Sequence, residues 1–209
     1  MSFNVQEGYN QWSHSYDAVT NKTRDLDKVA TQTILDPYGF LNVLELGCGT
    51  GKNTEWLQQK AQRVTAVDFS EGMLQQARNK ITAGAVHFVQ ADVTRPWPFD
   101  AAAFDLATCN LILEHVQNLQ HIFAEACRVL KPEGKFFICE LHPAKQYGGS
   151  KARFEKQDEL VVLDTFTHHT SEFFNTGLQN GFQCIRLDEW FDEGEYAMPR
   201  LISFLFEKK

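Results

Sequence analysis

The chain has 209 residues, enough for one domain with a modest surplus, and a core of that size needs no disulfide or metal staples. At 43% hydrophobic and 22% charged it has ordinary globular usage, which excludes long disorder. A net charge of −7 argues against a broad grip on nucleic acid or an anionic membrane, because affinity for polyanions comes mainly from Lys and Arg. The five cysteines form no CxxC pair and signal neither a disulfide framework nor a metal site. No basic leader with an apolar run and no apolar stretch of about 20 residues is present. The expectation is one cytoplasmic domain over 1–209, a monomer or homodimer with no nucleic-acid or membrane partner.

The first segment interleaves Tyr9, Trp12, His14 and Tyr16 with polar residues, which suits a short helix or flap laid over something. Leu26, Val29, Ala30, Thr33 and Ile34 then recur at helical spacing and stop before Asp36-Pro37. A short apolar strand at 42–46 (NVLEL) ends in glycines, and a helix is expected over 52–59. Strand and helix alternate from there: strands at 64–67, 86–89, 104–109 and 135–141, with helices at 70–80 and 119–130. This alternation predicts a doubly wound α/β sheet whose ligands sit beyond the carboxyl ends of the strands. Residues 142–164 carry no helical stripe and read as a long loop or insertion of the kind that forms lids. A helix at 171–180 and two strands at 182–190 and 201–206 close the chain. Their ten-residue link is too short for a helical crossover, so these strands are expected to pair antiparallel.

Gly47, Gly49 and Gly51 lie in a loop between a strand and a helix, where glycine lets the chain turn sharply and lets a ligand lie against the backbone. The spacing is GxGxG, not the GxGxxG of most dinucleotide folds, which speaks against a nicotinamide dehydrogenase. Asp68 lies 21 residues past Gly47 at the tip of the next strand, placed either to accept hydrogen bonds from ribose hydroxyls or to cap the following helix. Asp92, on the same edge, either takes an adenine amine or caps a turn. Together the three strand tips describe an adenosine site.

Five segments, VLELGCGTG (43–51), VTAVDFSEGML (64–74), VQADVTRPWPF (89–99), FDLATCNLILEHV (104–116) and RVLKPEGKFFICELHP (128–143), resemble the ordered motifs of class I S-adenosylmethionine-dependent methyltransferases of the small-molecule type. The resemblance implies a Rossmann-like, seven-stranded, three-layer α/β/α sandwich with its last strand antiparallel. It implies S-adenosylmethionine as cofactor and S-adenosylhomocysteine as product. Gly47, Cys48, Gly49 and Gly51 would line the methionine end, supported by Glu45, and Asp68 would hold the ribose. Phe69 and Met73 would pack on adenine, Asp92 and Val93 would read its edge, and Asn110 and Leu111 would wall the sulfonium. Residues 1–36 would form a helical lid carrying Tyr16, and 142–167 a substrate-side insertion.

After the fourth strand there is neither an NPPY run nor a proline–cysteine loop, and only Glu114 stands where arginine methyltransferases carry two glutamates. The expected acceptor is therefore a small molecule, methylated on oxygen or nitrogen. His142 and His115 are the candidate general bases, with Glu114 able to do the same work. Tyr147, Lys151 and Arg153 are candidates to bind an acidic substrate group, and His168 and His169 either face the pocket or lead into a helix. A binding module without turnover is the alternative reading.

Overall fold

The structure is a computed structural model that describes residues 5–82, 84–149, 153–156, 159–162 and 165–209. Helices α1 (Val5–Trp12) and α2 (Lys22–Leu35) precede a run of strands and helices: β1 (Phe40–Leu46), α3 (Thr54–Lys60), β2 (Ala61–Asp68), α4 (Glu71–Lys80) and β3 (Val86–Gln90). The chain continues through β4 (Phe104–Asn110), a 3-10 turn (Leu113–His115), α5 (Leu119–Val129) and β5 (Leu130–Leu141). It then runs through α6 (Pro143–Tyr147), β6 (Arg153–Lys156), β7 (Glu159–Val162), α7 (Thr170–Gln179), β8 (Phe182–Trp190) and β9 (Leu201–Lys208).

The main sheet has seven strands in the order β3-β2-β1-β4-β5-β9-β8. The first five are mutually parallel, and β9 runs antiparallel to both β5 and β8, as expected from the short link before it. Both faces are covered, and the sequence shows why. Successive residues of one strand enter different cores: Phe136 and Ile138 of β5 pack in one, Phe137 and Cys139 in the other. The α5 stripe of Ile122, Phe123 and Ala126 completes the first core with Phe173 of α7, while Ala30, Ile34 and Leu57 of α2 and α3 complete the second. The strand order reverses between β1 and β4, the position where an open α/β sheet leaves a crevice at its carboxyl edge.

Residues 142–164 depart from the expected loop: they hold the helix α6 and an antiparallel hairpin of β6 with β7. Strands of four residues set among mixed charges are too short to show alternation, so the sequence carried no clear signal for them. β5 also begins five residues early, running through Lys131–Gly134, where Glu133 adopts φ +61° and the pairing with β4 shifts register. A β-bulge absorbs the proline and glycine that read as a simple helix stop.

Candidate active site

A cavity of about 150 Å³ lies at the carboxyl edge of β1, β2, β3 and β4. The loop after β1 supplies Gly47, Cys48 and Gly49; β2 and its turn supply Asp68 and Phe69; Met73 comes from α4. Asp92 and Val93 follow β3, and Asn110 and Leu111 end β4. Tyr16 and Glu45 also line it. Gly51 does not: its φ is +86° and a Cβ there would lie 2.7 Å from Ile81 Cδ1, so it serves the packing of the loop. Gly47 and Gly49 have positive φ as well, but for different reasons. A Cβ on Gly47 would stand 2.3 Å from Ile112 Cγ2, whereas one on Gly49 would meet nothing within 4 Å and would enter open space.

Two of the carboxylates, Asp68 and Glu45, are buried and bonded. Asp68 accepts from Gly49 N at 2.9 Å and Ser70 N at 2.8 Å, tying the glycine loop to the next strand tip, and burial pushes its pKa up to about 6. Glu45 accepts from Thr54 Oγ1 at 2.5 Å, and burial pushes it up to about 8. Asp92 is exposed and accepts from Thr94 N and Oγ1 in a local turn.

Several functional side chains escaped the sequence reading. Asp27 of α2 is buried and accepts from Asn110 Nδ2 at 2.6 Å and Asn53 Nδ2 at 2.9 Å, locking the cavity floor. Its signal was a carboxylate inside the apolar stripe of α2. Glu140 near the end of β5 accepts from Ile112 N at 3.0 Å and Leu113 N at 2.9 Å, fixing the turn after β4, where Leu111 has φ +56°. An acidic residue in the apolar run KFFICEL marked it. Arg24 stacks over the Tyr16 ring at 4.0 Å and donates to the carbonyls of Tyr16 and Val19. Asp17 accepts from Thr50 Oγ1 at 2.8 Å and pairs with Lys80, so the segment after α1 is fastened to the glycine loop.

Helix α1 crosses the cavity mouth. Gln6 donates to Phe69 O at 2.6 Å, and Asn10 Oδ1 accepts from Ser70 Oγ at 2.7 Å and Gly72 N at 3.1 Å. His115 lines the cavity, with Nε2 3.0 Å from the Tyr9 hydroxyl. His142 does not line it: Nδ1 accepts from Ala144 N at 3.1 Å at the start of α6, and Nε2 lies 3.0 Å from Glu189 Oε1. A residue directly after a strand can cap the next helix as readily as face a pocket. His168 is buried, held between Val116 O at 2.7 Å and Glu172 Oε1 at 3.0 Å, and His169 bonds the Tyr147 hydroxyl at 2.5 Å. Of the other insertion candidates, Lys151 lies outside the described residues and Arg153 is described by its backbone alone.

Residues 44–138 match the model of the family described as "Methyltransferase domain". The chain is 39% identical over 175 residues to a demethylmenaquinone methyltransferase of Clavibacter sepedonicus, covering 81% of this chain and 71% of that protein. The chain is an S-adenosylmethionine-dependent methyltransferase. This methyltransferase is also 38% identical over 105 residues to a malonyl-[acyl-carrier protein] O-methyltransferase of Salmonella typhimurium, but spans only 41% of that relative's length. Its fold superposes with a TM-score of 0.76 on an S-adenosylmethionine-dependent methyltransferase from Mesorhizobium loti, at 20% identity and over 88% and 98% of the two chains. The dehydrogenase alternative falls with the family match. No helix among the described residues is long and apolar enough to cross a membrane.

Proposed function

We propose that the enzyme transfers a methyl group in line to an oxygen or nitrogen of a small-molecule acceptor, with the cofactor seated in the sheet-edge cavity. The observation that carries this is the convergence of three strand tips, Gly47–Gly49, Asp68 and Asp92, on one cavity floored by Asn110 and Leu111. The site fits the group, because Gly49 leaves an open cradle that any Cβ would enter. Gly47, Cys48 and Gly49 hold the methionine end there, with Glu45 and Gly51 shaping the loop. Asp68 would accept from the ribose hydroxyls, Phe69 and Met73 would pack on adenine, and Asp92 with Val93 would read its edge.

The bound cofactor supplies an electrophilic methyl on a sulfonium, so the protein's task is to orient the acceptor and exclude water. Tyr16, held by Arg24, and Tyr9, held at His115, close the methyl end. His115 in this cavity and Glu114 in the one beside it are the candidate bases, whereas His142 is placed to support α6. Residues 1–36 act as the lid and 142–167 as the acceptor-side insertion of a single domain over 1–209. A small-molecule acceptor is supported by the demethylmenaquinone methyltransferases among the relatives. Titration calorimetry with S-adenosylhomocysteine tests the cofactor site, and a metabolite library read by a methyl mass shift tests the acceptor class. Absence of S-adenosylhomocysteine binding would overturn the reading.

A further inference from the structure

A second cavity, of about 440 Å³, adjoins the first and shares Tyr9, Tyr16, Arg24 and Leu111 with it. Its electrostatics oppose those of the protein. The whole chain carries −7, yet the lining holds Lys22, Arg24, Lys145 and Arg200 with Glu114 as its one carboxylate, and Asp192, paired with Arg200, offsets part of the charge at Lys22 and Lys145. Two of these cations are engaged: Arg24 by the carbonyls described above, and Arg200 by Asp192 at 2.5 and 2.6 Å and by Thr23 Oγ1 at 3.0 Å. Lys22 and Lys145 are in no ion pair among the described residues. Glu114 is the converse case. Its Oε2 is shielded from water with no hydrogen-bond partner among the described residues, while Gln146 bonds the same carboxylate. A buried carboxylate oxygen with no donor is costly to keep, and a ligand donor relieves that cost.

Resting on the cofactor reading above, we infer that this cavity seats an acceptor with two features: an oxyanion facing Lys22 and Lys145, and a protic O–H or N–H nucleophile facing Glu114. The rings of Tyr9, Trp12 and Tyr16 bracket its apolar middle. In the transfer, the acceptor's oxygen or nitrogen bonds to the methyl carbon as the carbon–sulfur bond breaks. The electron pair of that bond neutralises the sulfonium, and the acceptor's proton passes to Glu114 and then to water.

The test uses the full chain saturated with S-adenosylhomocysteine, so that failure of the cofactor site shows first, as absence of that binding. Three probes are then titrated by ligand-observed NMR: 4-hydroxybenzoate, 4-hydroxyphenyl phosphate and the neutral 4-hydroxybenzamide. At least one of the two anions is expected to bind about tenfold tighter than the amide, and Lys145→Glu to remove that preference with S-adenosylhomocysteine affinity unchanged. Whichever anion binds tighter identifies the oxyanion as carboxylate or phosphate. Glu114→Leu is expected to abolish the preference for 4-hydroxybenzoate over 4-methoxybenzoate, which lacks the donor. If S-adenosylhomocysteine binds while the amide matches both anions, or while none of the three binds, the inference is overturned. A hydroxyl preference that survives Glu114→Leu overturns the assignment of Glu114.

Discussion

The two cavities share a wall of Tyr9 and Tyr16, but they are built by different means. The sheet-edge cavity is made of strand tips and the turns directly after them, with buried carboxylates at Glu45 and Asp68 and the amide–carboxylate pair Asn110–Asp27 as its floor. The outer cavity draws on residues 9–24, on Leu111 and Glu114 after β4, and on residues 141, 145 and 200, and its charged groups are mostly cations. Parallel strands with short loops give the first site a backbone geometry that few sequences can satisfy. The second is assembled mostly from side chains outside the main sheet, so its chemistry can change without disturbing the fold.

The largest expected effect breaks this comparison at its best-defined point. Asp68→Ala removes the carboxylate that accepts from the Gly49 and Ser70 backbone N–H groups and the candidate ribose partner together, and should weaken S-adenosylhomocysteine binding by about 100-fold or more, read by titration calorimetry. Lys145→Glu, on the outer cavity, should leave that affinity unchanged. Equal losses in both variants would show that the two cavities are one coupled site.

The glycine loop separates packing from ligand contact. Gly47→Ala should cost about 1–3 kcal/mol in denaturant unfolding, because a Cβ at φ +70° would collide with Ile112. Gly49→Ala meets no atom, so its stability loss should stay near the roughly 1–2 kcal/mol of a left-handed alanine, while its S-adenosylhomocysteine affinity falls disproportionately. Gly39→Ala, exposed and unobstructed, is the control and should stay within about 0.5 kcal/mol.

What the residues disclosed in advance follows the same division. The strand tips were legible because glycine and carboxylate at fixed spacing have few structural uses, and the alternation of elements set the sheet and its antiparallel end. Asp27 and Glu140 were missed because one carboxylate within an apolar stripe looks like an exception to the pattern, and its partners, Asn110 and the amides of Ile112 and Leu113, are distant in sequence. Of the outer cavity's cations only Lys22 and Arg24 are neighbours in sequence, and the rest could not be grouped with them. Lys22, Lys145 and Arg200 are separated by more than fifty residues each and carry no local motif.

Buried carboxylates also give both cavities a common pH signature. Glu45, pushed up to about 8 from an ordinary 4.5, stays protonated in the fold while the unfolded chain has already ionised. The folded state therefore holds more protons between about pH 4.5 and 8, and stability falls as pH rises through that window. Glu114, pushed up to about 7 by burial, acts in the same direction in the outer cavity. Glu45→Gln should flatten the decline in Tm between pH 5 and 8 by about 2–4 °C, measured by calorimetry on the ligand-free protein. An unchanged slope would mean that Glu45 ionises in the fold as freely as in solution.

The smallest expected effect concerns His142, which follows β5 on the functional edge and yet contacts neither cavity. With Nδ1 accepting from Ala144 N, the ring proton sits on Nε2 and is directed at Glu189. His142→Ala removes one helix cap and one half-exposed partner, a combined cost of about 1 kcal/mol in urea unfolding. Because α6 also carries Lys145 and Gln146, fraying of its first turn should reach the outer cavity before the inner one. The variant should therefore bind S-adenosylhomocysteine as tightly as the parent and show at most a few-fold weaker acceptor binding. A loss of transfer of about 100-fold with both affinities intact would instead return His142 to the role of general base, acting from a conformation in which α6 has moved.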